Sequence, residues 1–149
     1  MFLHTALVYS VLGLLGSVCS YGPSNIQNTE NLYTEVTDTV CYDQLKQMFV
    51  AGKLQLFDVR ELHEFEEGAI PGAINIPLSK LQQAFTLTPD QFTQQFGVRM
   101  PETQDADVIL YCQRGRRSLS ALHTLYSLGY KRVRHYLGGF SEWLRFETQ

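Results

Sequence analysis

The chain has 149 residues, 44% of them apolar and 18% charged, which describes one ordinary globular domain with a short extension and enough chain to bury a core. The formal net charge of -3 argues against a general nucleic-acid binder. Three cysteines, Cys19, Cys41 and Cys112, are an odd number without a C-x-x-C pair, so neither a disulfide framework nor a zinc site is suggested.

Residues 1–20 contain no Lys, Arg, Asp or Glu. An apolar stretch around Val8, Leu12 and Leu15 is followed by the small residues Gly16, Ser17 and Ser20, which suits signal cleavage after Ser20. A secretory leader or a membrane association is expected, although the positive n-region is missing. His4, Thr5 and Ser10 interrupt the stretch as an anchor. Residues 21–35 are polar, with Gly22-Pro23-Ser24-Asn25, and read as a flexible linker. The folded domain is expected to span residues 36–149.

Thr39 can cap a helix over residues 40–51, with Cys41, Leu45, Met48 and Phe49 as its inward stripe and Gly52 as its stop. Cys41 reads as a small buried or half-buried residue. Residues 54–59 read as a buried strand ending in Asp58-Val59-Arg60, and residues 61–67 as a short helix. Gly68 to Pro77 is a turn, a very short strand and a proline stop. Helices are predicted over residues 78–85 and 89–96, the second with Thr88 as cap and Pro89 at its first position. Residues 107–111 form the next buried strand. A helix over 118–128 carries Leu119, Leu122 and Leu125 inward and stops at Gly129. A strand over 132–136, a turn at Gly138-Gly139 and a helix over 140–146 complete the chain. Strand and helix alternate, which predicts an α/β fold with a central, mostly parallel five-stranded sheet and helices on both faces. Ligands of such sheets bind outside the carboxyl ends of the strands, where Asp58, Arg60 and Cys112 all fall.

Charge is unevenly distributed. Up to Gln113 there are 5 basic and 13 acidic residues, a net of -8; from Arg114 onward there are 7 basic and 2 acidic, a net of +5. The positive charge gathers around Cys112-Gln113-Arg114-Gly115-Arg116-Arg117-Ser118. A cysteine at a strand end, before a helix start and among three arginines, is expected to be a thiolate near neutral pH. Gly115 lets the loop turn tightly. Backbone N–H groups there can form an anion-binding nest, and Arg117 can grip an oxyanion. A cysteine-dependent phosphatase loop places His before the cysteine and Arg six residues after it. Here Tyr111 precedes Cys112 and the sixth residue is Ser118, so the cradle is one residue shorter. That length suits an outer sulfur atom on the cysteine better than a phosphate. His63, His123 and His135 lack metal-ligand spacing and read as structural or surface residues. Glu61, Glu64, Glu66 and Glu67 read as a solvated helix face, and Phe140, Trp143 and Phe146 as core.

The chain resembles the rhodanese family, especially its small single-domain thiosulfate sulfurtransferases. The resemblance is carried by Leu56-Phe57-Asp58-Val59-Arg60, by Glu67-Gly68-Ala69-Ile70-Pro71-Gly72-Ala73-Ile74-Asn75-Ile76-Pro77, by residues 108–118, by Leu128-Gly129-Tyr130 and by Leu137-Gly138-Gly139-Phe140-Ser141-Glu142-Trp143. It implies that Cys112 is the sulfur-carrying nucleophile and that Gln113, Arg114, Gly115, Arg116, Arg117 and Ser118 form the active-site loop. Asp58 and Arg60 would brace the pocket by ion pairing. Many members have His where this chain has Ala69, which removes a possible polar contact.

The implied activity is transfer of sulfane sulfur from thiosulfate or a persulfide to a thiol acceptor, such as glutathione or a thioredoxin-like protein, by a monomer that needs no metal or organic cofactor. A non-catalytic binding module of the same fold, and a phosphatase or arsenate reductase, are the alternatives. No nucleic-acid partner is expected, and a membrane only through residues 1–20. The resemblance points to cytosol or mitochondrion, the leader to the secretory pathway.

Overall fold

Asp58 and Tyr111 end neighbouring parallel strands in the computed structural model, which describes residues 38–148. The expected leader and linker lie outside the described residues. The described chain runs β1 (Thr39–Val40), α1 (Tyr42–Val50), β2 (Gln55–Asp58), α2 (Leu62–Glu67), β3 (Ile74–Asn75) and α3 (Leu78–Ala84). It continues through α4 (Pro89–Phe96), β4 (Val108–Tyr111), α5 (Arg116–Ser127), β5 (Arg134–Tyr136) and α6 (Gly139–Glu147). The five strands form one sheet in the order β1-β5-β4-β2-β3, with every pair parallel.

β4 lies at the centre and all four of its residues are buried. Alternation along a strand sends successive side chains to opposite faces. Val108 and Leu110 join the core under α3, α4 and α5, with Leu81, Phe92, Leu122 and Leu125. Ile109 and Tyr111 join the core under α1 and α6, with Leu45, Phe140 and Trp143. Cys112 is next in this alternation and falls on the α5 side. The continuous apolar run of β4 is what a strand covered on both faces requires.

Two expected helix starts change. Thr39 does not cap α1; it pairs with His135 in the edge strand β1. The cap is Cys41, whose backbone N–H donates to Gln44 Oε1 at 3.0 Å. The helix after the cysteine starts at Arg116 rather than Ser118, because Gly115 closes the loop in a left-handed conformation. By contrast, α4 begins as its sequence predicts. Thr88 Oγ1 accepts from the Gln91 N–H at 3.3 Å while Gln91 Oε1 accepts from the Thr88 N–H at 3.0 Å. No helix among the described residues is long and apolar enough to cross a membrane.

Candidate active site

The chain leaves β4 at Tyr111, turns through residues 112–115 and enters α5. Gly115 has φ +82, and a Cβ there would lie 2.4 Å from the Leu137 carbonyl oxygen, so the loop passes where no side chain fits. The loop is held from outside by the start of α6. The N–H groups of Phe140 and Ser141 donate to the carbonyls of Cys112 and Gln113 at 2.8 and 3.1 Å. Gly139 makes that approach possible: with φ +64, a Cβ on it would meet those two carbonyl oxygens at 2.5 and 2.6 Å. The N–H groups of Gln113, Arg114 and Gly115 have no acceptor among the described residues. The first turn of α5 leaves further donors without intrahelical partners. The loop thus spends carbonyls on α6 and keeps donors available for an anion.

Asp58 and Arg60 form an ion pair with side chains 0% and 2% exposed. Arg60 Nε donates to both carboxylate oxygens at 3.0 Å and Nη2 donates to Oδ2 at 2.6 Å. The other guanidinium protons reach the Gly68 carbonyl at 2.7 Å and Gln113 Oε1 at 3.1 Å. The guanidinium also lies over the Phe140 ring, 4.3 Å from its centroid. Gln113 passes the network on through Nε2 to Ser141 Oγ at 2.8 Å. Asn75 Nδ2 donates to the carbonyls of Asp58 and Arg60, at 3.1 and 2.9 Å. One buried polar network therefore ties the end of β2 to the loop after β4 and to α6.

The three loop arginines are not equivalent. Arg114 and Arg116 are exposed and enter no ion pair among the described residues. Arg117 faces Glu64 fork to fork, at 2.5 and 2.8 Å. The Arg117 hydrogen bonds hold the Glu64 carboxyl down at about 2, and Glu64 in turn raises Arg117. Arg117, placed by the sequence where it can grip an oxyanion, also shares its charge with the Glu64 carboxylate. Glu64 was assigned to a solvated face, and nothing in the spacing of four neighbouring acids singled it out.

Cys112 is 1% exposed and is the free cysteine of the described residues. Its Sγ lies 3.7 Å from Ser118 Oγ, and that oxygen is also within hydrogen-bond distance of the Gly115 carbonyl and of His135 Nδ1. Cys41 is half-buried at the start of α1, as its sequence position predicts. The described residues hold no cluster of three or more potential metal ligands. A shallow depression of about 580 Å³ lies at the opposite, amino end of β2 and β4, lined by Met48, Lys53, Asp105 and Asp107 among others, and carries no loop residue.

The family model described as Rhodanese-like domain matches residues 42–146. A human protein named thiosulfate:glutathione sulfurtransferase is 38% identical over 110 residues, covering 74% of this chain and 96% of its own. A protein of the same name from Saccharomyces cerevisiae is 31% identical, covering 78% of this chain and 86% of its own. Among solved structures, the human single-domain sulfurtransferase TSTD1 superposes with a TM-score of 0.70 at 38% identity, covering 72% of this chain and 95% of that one. The S. cerevisiae single-domain sulfurtransferase RDL2 superposes with a TM-score of 0.65 at 29% identity, covering 76% and 93%.

Proposed function

Because the chain belongs to the rhodanese-like domain family, among its single-domain sulfurtransferases, we propose that it moves sulfane sulfur from thiosulfate to a thiol through a persulfide on Cys112. The observation that carries this reading is the placement of a free cysteine at the end of the central strand, in a loop whose backbone donors are uncommitted.

In the first half-reaction the Cys112 thiolate attacks the outer sulfur of thiosulfate. The bond between the two thiosulfate sulfurs breaks, and its electron pair leaves with sulfite. The outer sulfur stays on Cys112 as a persulfide, its negative charge facing the N–H groups of the loop and the start of α5. In the second half-reaction an acceptor thiolate attacks that outer sulfur and Cys112 departs as a thiolate. The acceptor becomes the persulfide. Glutathione is the small-molecule acceptor favoured by the relatives' names; a thioredoxin-like protein offers the same chemistry. Arg114 and Arg116 attract the anionic donor from solvent. Arg117, braced by Glu64, shapes the wall of the cradle. Asp58 and Arg60 hold Gln113, and through it the loop, in register with α6.

Two substrates using one covalent carrier give ping-pong kinetics. Initial rates at several fixed glutathione concentrations should give parallel double-reciprocal lines against thiosulfate, and Cys112→Ser should abolish turnover. Intersecting lines, or turnover in Cys112→Ser, would rule out the double displacement.

A further inference from the structure

Cys112, Ser118 and His135 form a buried line across three elements: the end of β4, the first turn of α5 and the middle of β5. Sγ lies 3.7 Å from Ser118 Oγ, which lies 3.0 Å from His135 Nδ1. The three residues are 1%, 0% and 2% exposed. Sulfur transfer as described above makes no use of His135.

Ser118 has one hydroxyl proton and three neighbours that can accept it: the Gly115 carbonyl at 3.1 Å, His135 Nδ1, and the sulfur when anionic. His135 decides among them. Burial disfavours its charged form; the Asp38 carboxylate opposes that effect and His123 on α5 adds to it. Arg117 is a cation whose charge interacts with Cys112. A neutral imidazole carries one N–H. If Nδ1 is bare, it takes the Ser118 proton and leaves only lone pairs facing Cys112. If Nδ1 carries the proton, it donates to Ser118 Oγ and frees the hydroxyl proton.

We propose that His135 is a positioning residue: its neutral, Nδ1-protonated tautomer donates to Ser118 Oγ and turns the Ser118 hydroxyl proton toward the Cys112 thiolate. When Cys112 carries the outer sulfur, its Sγ is no longer anionic and the proton returns to the Gly115 carbonyl. The hydrogen bond is therefore strongest when Cys112 is a thiolate, which favours its departure in the second half-reaction. No bond to sulfur forms or breaks in this rearrangement. The inference rests on Cys112 as the nucleophile, but its test does not require turnover.

The first measurement is the side-chain ¹⁵N spectrum of the reduced full-length protein at pH 7.5. The His135 signal should show Nδ1 protonated and Nε2 bare; the opposite tautomer overturns the proposal. The second is the pH dependence of Cys112 alkylation by iodoacetamide. Ser118→Ala should move the profile to higher pH and slow alkylation about tenfold at pH 7, while Ser118→Thr retains the wild-type profile. His135→Leu should move it in the same direction, and His135→Asn, which keeps a donor, should restore most of the rate. Profiles unchanged in both Ser118→Ala and His135→Leu, or a faster alkylation in His135→Leu, would contradict it. If wild-type protein shows the expected tautomer and profile but takes up no sulfur from thiosulfate, the sulfurtransferase reading fails and the relay stands.

Discussion

Arg117 and Glu64, one at the start of α5 and the other in α2, meet in two parallel N–H···O contacts of 2.5 and 2.8 Å. Each contact links the cysteine loop to the short helix that follows Asp58 and Arg60. The pairing is also a pH-dependent clamp. Glu64 titrates near 2 in the folded chain against an ordinary value of 4.5. A depressed carboxyl contributes stability that is fully present above pH 4.5 and is lost as the pH falls toward 2. Because Arg117 is 35% exposed, solvent limits the contribution to about 1 kcal/mol. Chemical denaturation should find Glu64→Gln less stable than wild type at pH 7, with the difference shrinking below pH 4.5 and gone near pH 2. A difference that does not change with pH would contradict the assignment.

The Asp58–Arg60 pair should behave differently, because neither side chain meets solvent. Removing one partner leaves a buried charge uncompensated, at a cost of about 3–5 kcal/mol. Arg60→Ala and Asp58→Ala should each be destabilised by that order in urea unfolding, and the double variant by much less than their sum. Additive losses would mean that the two groups do not depend on one another.

Gly139 holds no chemistry, yet its substitution should act on catalysis. A Cβ there presses on the carbonyls of Cys112 and Gln113 and requires a left-handed backbone. Gly139→Ala should lower kcat/KM for thiosulfate by at least about tenfold, the loop being misplaced at the sulfur. An unchanged kcat/KM in a folded variant would show that α6 does not set the loop's position.

Arg114 and Arg116 stand in solvent, where long-range attraction is screened by salt. Arg114→Gln/Arg116→Gln should raise KM for thiosulfate several-fold with kcat little changed, and should flatten the dependence of kcat/KM on ionic strength. An equal fall in kcat and kcat/KM would instead place one of them against the reacting atoms.

The alternation of strands and helices was legible because β2 and β4 are apolar runs, and because α4 advertises its start, with Thr88 as cap and Pro89 at its first position. β1 was not legible. Two residues supply no period, and its partner His135 lies 96 positions away, so Thr39 reads as a helix cap by local chemistry alone. The loop from Cys112 to Ser118 stood out as a sequence motif, and the family resemblance implied the pairing of Asp58 with Arg60. Glu64 and His135 did not stand out. Each acquires its partner by tertiary approach, Glu64 across 53 residues to Arg117 and His135 across 17 to Ser118. Gly139 and Ser141 read as a turn and a helix start, with nothing in them to reveal that they grip the loop.

The central claim is that Cys112 carries sulfur, and intact-protein mass spectrometry tests it most directly. Reduced protein incubated with thiosulfate and desalted should gain the mass of one sulfur atom, located on the peptide containing Cys112 and discharged by glutathione. Cys112→Ser should gain nothing. An unmodified wild-type mass, with Cys112 still open to alkylation, would contradict the account.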